Sequence, residues 1–413
     1  MLQRGLFVWA CGSGAIATAA VLALSCGADI RPPGDAGVTV PPTDSGADGS
    51  DAADASTAPT PEDPCGFPSG VAPRAPWPMA GACARRPSSR KELRGPSSGT
   101  ASLTYALSGR ATSPIVAEDG TIIVGTSDAH VVAITAAGQK RWDVTAAGPI
   151  TSSPVLTAGG EVTFVTLGGR LAKLAIADGA ELGARDGANG ASGLLPLADG
   201  TLVYAASDGK AHRINLSDLV ETSTIEVDTQ EALTLARDGA LLASGRDGVL
   251  RRVGTDGAVT ELYRAGVALV APPIVTVFGD VVVVGRDDKL RSVKATGELR
   301  FERPLGGALR GLPAASPDGS VYAATSAGKV VGFDRDGKEL FAFAPLGLAE
   351  SPVVAGSGTL FFGAEDTKLY AVMPSGRLLF SGSLKAKAVS AGAFAQSGAF
   401  YVAVEGGVAF VGP

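Results

Sequence analysis

Histidine is almost missing from this chain: there are two, His130 and His212, and they fall in different copies of the repeat described below. With only four cysteines besides, no His/Cys cluster has metal-ligand spacing, so no metal site is expected. The chemical motifs are missing too. There is no G-x-x-x-x-G-K-[ST] phosphate loop, and no Ser/His/Asp set that spacing would bring together. Charge is sparse at 18%, and no long stretch carries helical periodicity, which favours strands and turns over helices. An excess of base is also lacking. Cys65 to Pro413 holds equal numbers of acidic and basic residues, and a nucleic-acid partner would need a basic surface; none is expected.

What is present begins with an export segment. Residues 1–26 place Arg4 ahead of an apolar run ending in small residues, the layout of a signal peptide. A single membrane-spanning anchor is the alternative for a run of this length. The end, Leu22-Ala23-Leu24-Ser25-Cys26, resembles a lipobox, which would make Cys26 a lipidation site, although Ala23 stands where a larger aliphatic is usual. Gly27 follows, without the Asp that would argue against outer-membrane sorting. Residues 27–64 have almost no bulky apolar side chain and eight acids against Arg31. Such a segment cannot offset its ordering entropy and reads as an acidic, disordered tether. Its Asp spacing lacks the order of a calcium loop. In an oxidising compartment the remaining even pair, Cys65 and Cys83, is expected to form a disulfide across a Pro-rich lead-in, residues 65–100.

From residue 101 onward a glycine returns at Gly120, Gly160, Gly200, Gly239, Gly279, Gly319, Gly358 and Gly398, at intervals of 39 or 40. A period of about 40 residues made of short apolar runs and Gly-rich turns predicts a radial β-repeat: an all-β, eight-bladed propeller of four-stranded antiparallel blades. The first strand of a unit is of the type Ser351-Pro352-Val353-Val354. Proline recurs six residues before the repeat glycine, and proline is confined to strands with a free edge, so these strands should line the central channel. The second strand follows the glycine, and turns such as Asp208-Gly209 lead to the third. The fourth carries a ring four residues after another glycine, at Trp142, Phe301, Phe341 and Phe380. Rings at one register suit packing of blade against blade. The last unit has only three strands, so Ala101–Leu107, with Tyr105, is expected to close it and leave no open edge. Charges on the turns at Arg246, Arg286, Lys329 and Lys368 are rim residues available for binding.

The unit G-x-[IVL]-[YFV]…D-G-[KR]-[LV]-x-A-[IVL]…G-x-x-x-[WF], opened by Trp77-Pro78-Met79-Ala80-Gly81, resembles the quinoprotein-like (PQQ-like) eight-bladed propellers from Trp77 to Pro413. The resemblance implies one of two functions: quinone-cofactor dehydrogenases, or binding propellers such as the lipoprotein that supports outer-membrane-protein assembly. The enzyme branch stacks its quinone between a tryptophan and adjacent cysteines and holds calcium with Glu, Asn and Asp. This chain has no adjacent cysteines, places Trp142 at the blade-packing register, and has only Asn189 and Asn215, off the inner strands. The expectation is therefore a non-enzymatic, monomeric envelope lipoprotein without a cofactor. It would be anchored in the outer membrane, facing periplasm or cell surface, and would bind a protein or polysaccharide. The alternative is a PQQ-dependent dehydrogenase or small-ligand sensor that uses the channel.

Overall fold

A computed structural model describes residues 61–63, 65, 66 and 68–413. The export segment, Cys26 and the tether as far as residue 60 lie outside these residues. Everything described is strand, turn or irregular, with no helix. The strands form eight four-stranded antiparallel sheets arranged as the blades of a propeller. After β1 (Leu103–Ala106), blade one runs β2 (Ile115–Val116), β3 (Ile122–Gly125), β4 (His130–Ile134) and β5 (Lys140–Thr145), paired in that order from the axis outward. The next six blades repeat the plan. Blade eight contributes β30 (Ala388–Phe394), β31 (Phe400–Val404) and β32 (Gly407–Val411), and its outer strand is β1, with Tyr105 opposite Val408 and Thr104 opposite Ala409. The first and last parts of the domain thus share one sheet, as the three-stranded last unit requires.

The repeat glycines have a backbone reason. All eight sit at φ between +79° and +91°, the left-handed region that a Cβ disfavours. Each closes the turn from the inner strand to the second by donating to the carbonyl three residues back, as Gly120 does to Ala117 and Gly398 to Ala395. Apart from the third strands of blades three and four, the second and third strands are buried along nearly their whole length, with Ile122, Ile123, Val282, Val283, Phe362 and Val402 among the fully covered side chains. Their apolar runs fill the space between neighbouring sheets.

The lead-in is not a loose connector. It runs round the inner edges of the blades, and its carbonyls at Trp77, Pro78, Ala84, Arg85, Pro87 and Ser88 accept the N–H groups of Val116, Leu156, Leu235, Val275, Ala315 and Val354. These donors all lie four residues before a repeat glycine. Blade three has Pro196 at that position and no N–H to give; its carbonyl instead accepts from Gly70. The expectation that the inner strands present free edges to the channel therefore holds only towards one end. At the other the lead-in bonds to seven of the eight and closes the channel. Trp77, Met79, Ala82, Arg85 and Arg86 are all buried there. The boundary drawn at residue 64 is also too late. Glu62 donates its N–H to Val277 and pairs with Arg237 at 2.5 Å, and Asp63 pairs with Lys91.

Cys65 and Cys83 are joined by a disulfide, 18 residues apart in sequence. Closing a loop of that length restricts the undocked lead-in by about 3 kcal/mol. In a Cys65→Ser/Cys83→Ser chain, the amides of Val116, Val275 and Val354 should exchange with deuterium faster, while the outer strands keep their protection. Hydrogen-exchange mass spectrometry reads this directly; unchanged inner-strand protection would mean that the hydrogen bonds alone hold the lead-in. A second expectation concerns closure. Proline at Tyr105 removes a donor from the strand paired with β32 and should lower the melting temperature by roughly 3–6 °C. The exposed edge should also raise self-association in light scattering.

Candidate functional site

Because consecutive strands alternate in direction, turns alternate between two faces. One face carries the repeat-glycine turns and is closed by the lead-in. The other carries the turns between second and third strands and the blade-to-blade connections, and there the channel opens. The open part has two adjoining lobes of about 430 and 470 Å³ that share Ala80, Thr151, Ser153, Gly311 and Leu312. Its floor is the lead-in around Trp77, Ala80 and Arg86, and its walls are largely small or hydroxylated inner-strand residues such as Ser113, Ser192 and Ser390.

Four charged groups line it. Arg86 is 2% exposed and donates to three carbonyls, from Nε to Leu233 (3.0 Å), Nη1 to Ala80 (3.1 Å) and Nη2 to Gly193 (3.2 Å). Burial pushes its pKa down to about 10, so it stays charged near neutrality. Glu231 is raised by burial. Arg110 donates to the Val389 carbonyl at 2.9 Å, and Glu350 accepts from Arg310 at 2.8 Å. The buried Ser192 hydroxyl has no partner. Among the described residues no three His, Cys, Asp or Glu side chains come together as metal ligands.

Trp142, Phe301, Phe341 and Phe380 are placed far from this channel, on fourth strands. Trp142 donates its indole N–H to the Ile176 carbonyl of blade two at 2.9 Å. A Cβ on Gly337 of the next blade would fall 2.5 Å from the Phe301 ring, and one on Gly376 2.4 Å from Phe341. Phe380 lies beside Gly99, just ahead of β1. Each ring thus rests on the following blade. The tryptophan that does line the channel is Trp77, edge-on to Phe394 with ring centres 5.7 Å apart. Sequence reasoning took it only as an opening phrase.

Arg246, Arg286 and Lys329 lie on the turns between second and third strands of blades four to six, and Lys368 opens the third strand of blade seven, all towards the open face, one to a blade and not in a cluster. Arg246 pairs with Asp228 at 2.7 Å, whereas Arg286 and Lys329 are exposed and Lys368 is half-buried. Among them projects a residue that no charge pattern flagged. Leu346, on the connection from blade six to seven, is 85% exposed. Its backbone N–H points to the Tyr370 hydroxyl, which donates to Asp366 at 2.5 Å. Burial, and then that bond, push Tyr370 up to about 12. Gly347 packs on the backbone of Asp366, and Leu348 lies near Gly328, so the loop is wedged between the turns beside Lys329 and Lys368.

Comparison with solved structures returns the same architecture. A computationally designed protein, Ika8, aligns over 77% of this chain and all of its own, with TM-score 0.61 and 16% identity. A europium-containing methanol dehydrogenase aligns over 80% of this chain and 89% of its own (0.62, 13%), and the quinohemoprotein alcohol dehydrogenase from Comamonas testosteroni over 83% and 80% (0.63, 11%). At these identities the likeness is one of fold alone. No match is found among curated proteins. The sequence profile of the family described as "Outer membrane protein assembly factor BamB" matches residues 94–234 and 246–412, nearly the whole ring, and the chain belongs to that family.

Proposed function

We propose that this protein is a non-enzymatic binding propeller of the cell envelope, held to the outer membrane through a lipid on Cys26, and that its open face docks an envelope protein or polysaccharide. The observation that carries the reading is Leu346. A leucine left this bare on a wedged loop, between lysines without an ion pair among the described residues, has the composition of an anchor with a cationic surround. Loops on a rigid scaffold are where a propeller can vary its partners. A tether of almost 40 residues spans on the order of 35 Å, enough to reach a neighbour in the same membrane.

The second reading is chemistry or ligand sensing in the channel, which the two open lobes favour. Its quinone form fits the residues poorly: there are no adjacent cysteines, no cluster of metal ligands among the described residues, and the Trp77 ring is engaged by Phe394. Stoichiometric quinone or calcium in protein purified from its own envelope would overturn the binding-propeller reading.

Two substitutions test the proposal. Cys26→Ser should abolish incorporation of labelled fatty acid and shift the protein from the membrane to the soluble fraction. Leu346→Glu should lower the yield of one cross-linked envelope partner at least about tenfold, the cost of burying an unpaired charge at an anchor. Leu182→Glu, on an outer strand, should leave the yield unchanged. Equal capture by both variants would remove Leu346 from the interface.

A further inference from the structure

Arg86 is the group in this molecule whose surroundings match it least. It is buried at the floor of the channel, and no carboxylate of the described residues lies within ion-pairing distance. Three carbonyl oxygens satisfy three of its N–H groups but bring no negative charge, and a guanidinium withdrawn from water without a counter-charge is costly. Of its five N–H groups, three are used, one from each nitrogen. One is left on Nη1 and one on Nη2. A carboxylate can bring one oxygen to each, as it does on a guanidinium fork. The same lobe is lined by Gly193, whose carbonyl takes Nη2, and by Ser192, whose covered hydroxyl has no partner.

We propose that the open channel binds a small carboxylate end-on, its two oxygens on Nη1 and Nη2 of Arg86 and with Ser192 donating to one of them. The contact is independent of whatever macromolecule the rim engages. A monoanion suits the site better than phosphate. It matches the single buried positive charge and the two available N–H groups, while Glu231 on the wall of the same lobe opposes a second negative charge. The walls above, with Leu312, Leu309 and Val270, accept an aliphatic remainder. The carboxylate could come from the C-terminus of a peptide or from a free short-chain acid.

Isothermal titration of the full chain separates these outcomes, with N-acetyl-trialanine, its C-terminal amide, butyrate and inorganic phosphate as probes. The peptide acid should bind at least about tenfold tighter than its amide, the size of one lost charge-assisted pair. Butyrate binding as tightly as the peptide identifies a free acid; binding of the peptide alone identifies a chain end. Arg86→Lys keeps the charge but loses the fork, and should cost the peptide acid at least about tenfold. Since Arg86 also holds the lead-in, Leu312→Trp serves as the second variant. It fills the shared wall of both lobes without touching the floor and should abolish binding. The proposal fails if acid and amide bind alike, if neither carboxylate binds the wild-type chain, if phosphate binds tighter than either, or if Leu312→Trp binds as the wild type does.

Discussion

The fold turns on how the innermost strands are satisfied. A propeller blade has a free edge at the axis, and eight such edges face one another across a narrow channel. Buried N–H groups left without partners would cost about 1–3 kcal/mol each. Here six of them, four residues before the repeat glycine in their blades, donate to carbonyls of a single segment between Trp77 and Ser88. That segment is therefore as much a part of the ring as any strand. It makes left-handed turns at Gly81, Ala82, Arg86 and Ser88 to follow the tight circle. The same turns carry Arg85 to one side, towards Glu62, and Arg86 to the other, towards the channel. Closing one end of the pore and equipping the floor of the other are thus a single act of folding.

The outer seam obeys the same logic. β1 completes the sheet of blade eight, so the chain is tied at its perimeter by strand pairing and at its axis by the lead-in. Trp77 links the two, since it bonds to Val116 of blade one through its backbone and meets Phe394 of blade eight through its ring. The seam is held from both sides, and the blades between are held by rings such as Trp142, Phe301 and Phe341 resting on glycines of the next sheet.

Much of this was legible in the residues because repeats average out noise. Eight glycines at one spacing, each needing the same left-handed turn, determine blade count and strand order. Three strands after the one that carries Phe380 demand a fourth from elsewhere. What could not be read was anything set by contacts between distant segments. Nothing in the phrase from Trp77 to Ser89 announces that its carbonyls will meet six separate blades. One clue was visible: Pro196 interrupts the donor position in blade three, where the partner is an N–H from Gly70 and not a carbonyl. Nothing in the sequence sets Arg86 apart from other charges or Leu346 from other loop residues. Burial of the one and exposure of the other depend on the assembled ring. For the four cationic residues, sequence spacing could not reveal that Arg246 is already matched by Asp228 or that Lys368 opens a strand.

The docking of Glu62 onto Val277 has a directional consequence. Val277 belongs to a repeat-glycine turn, so the chain enters the ring through its closed side. Anything pulling on the N-terminus draws that sealed underside towards its attachment point and turns the well, with Leu346 at its lip, outward. The ring has a built-in up and down, with the chain's entry at one pole and the open channel at the other.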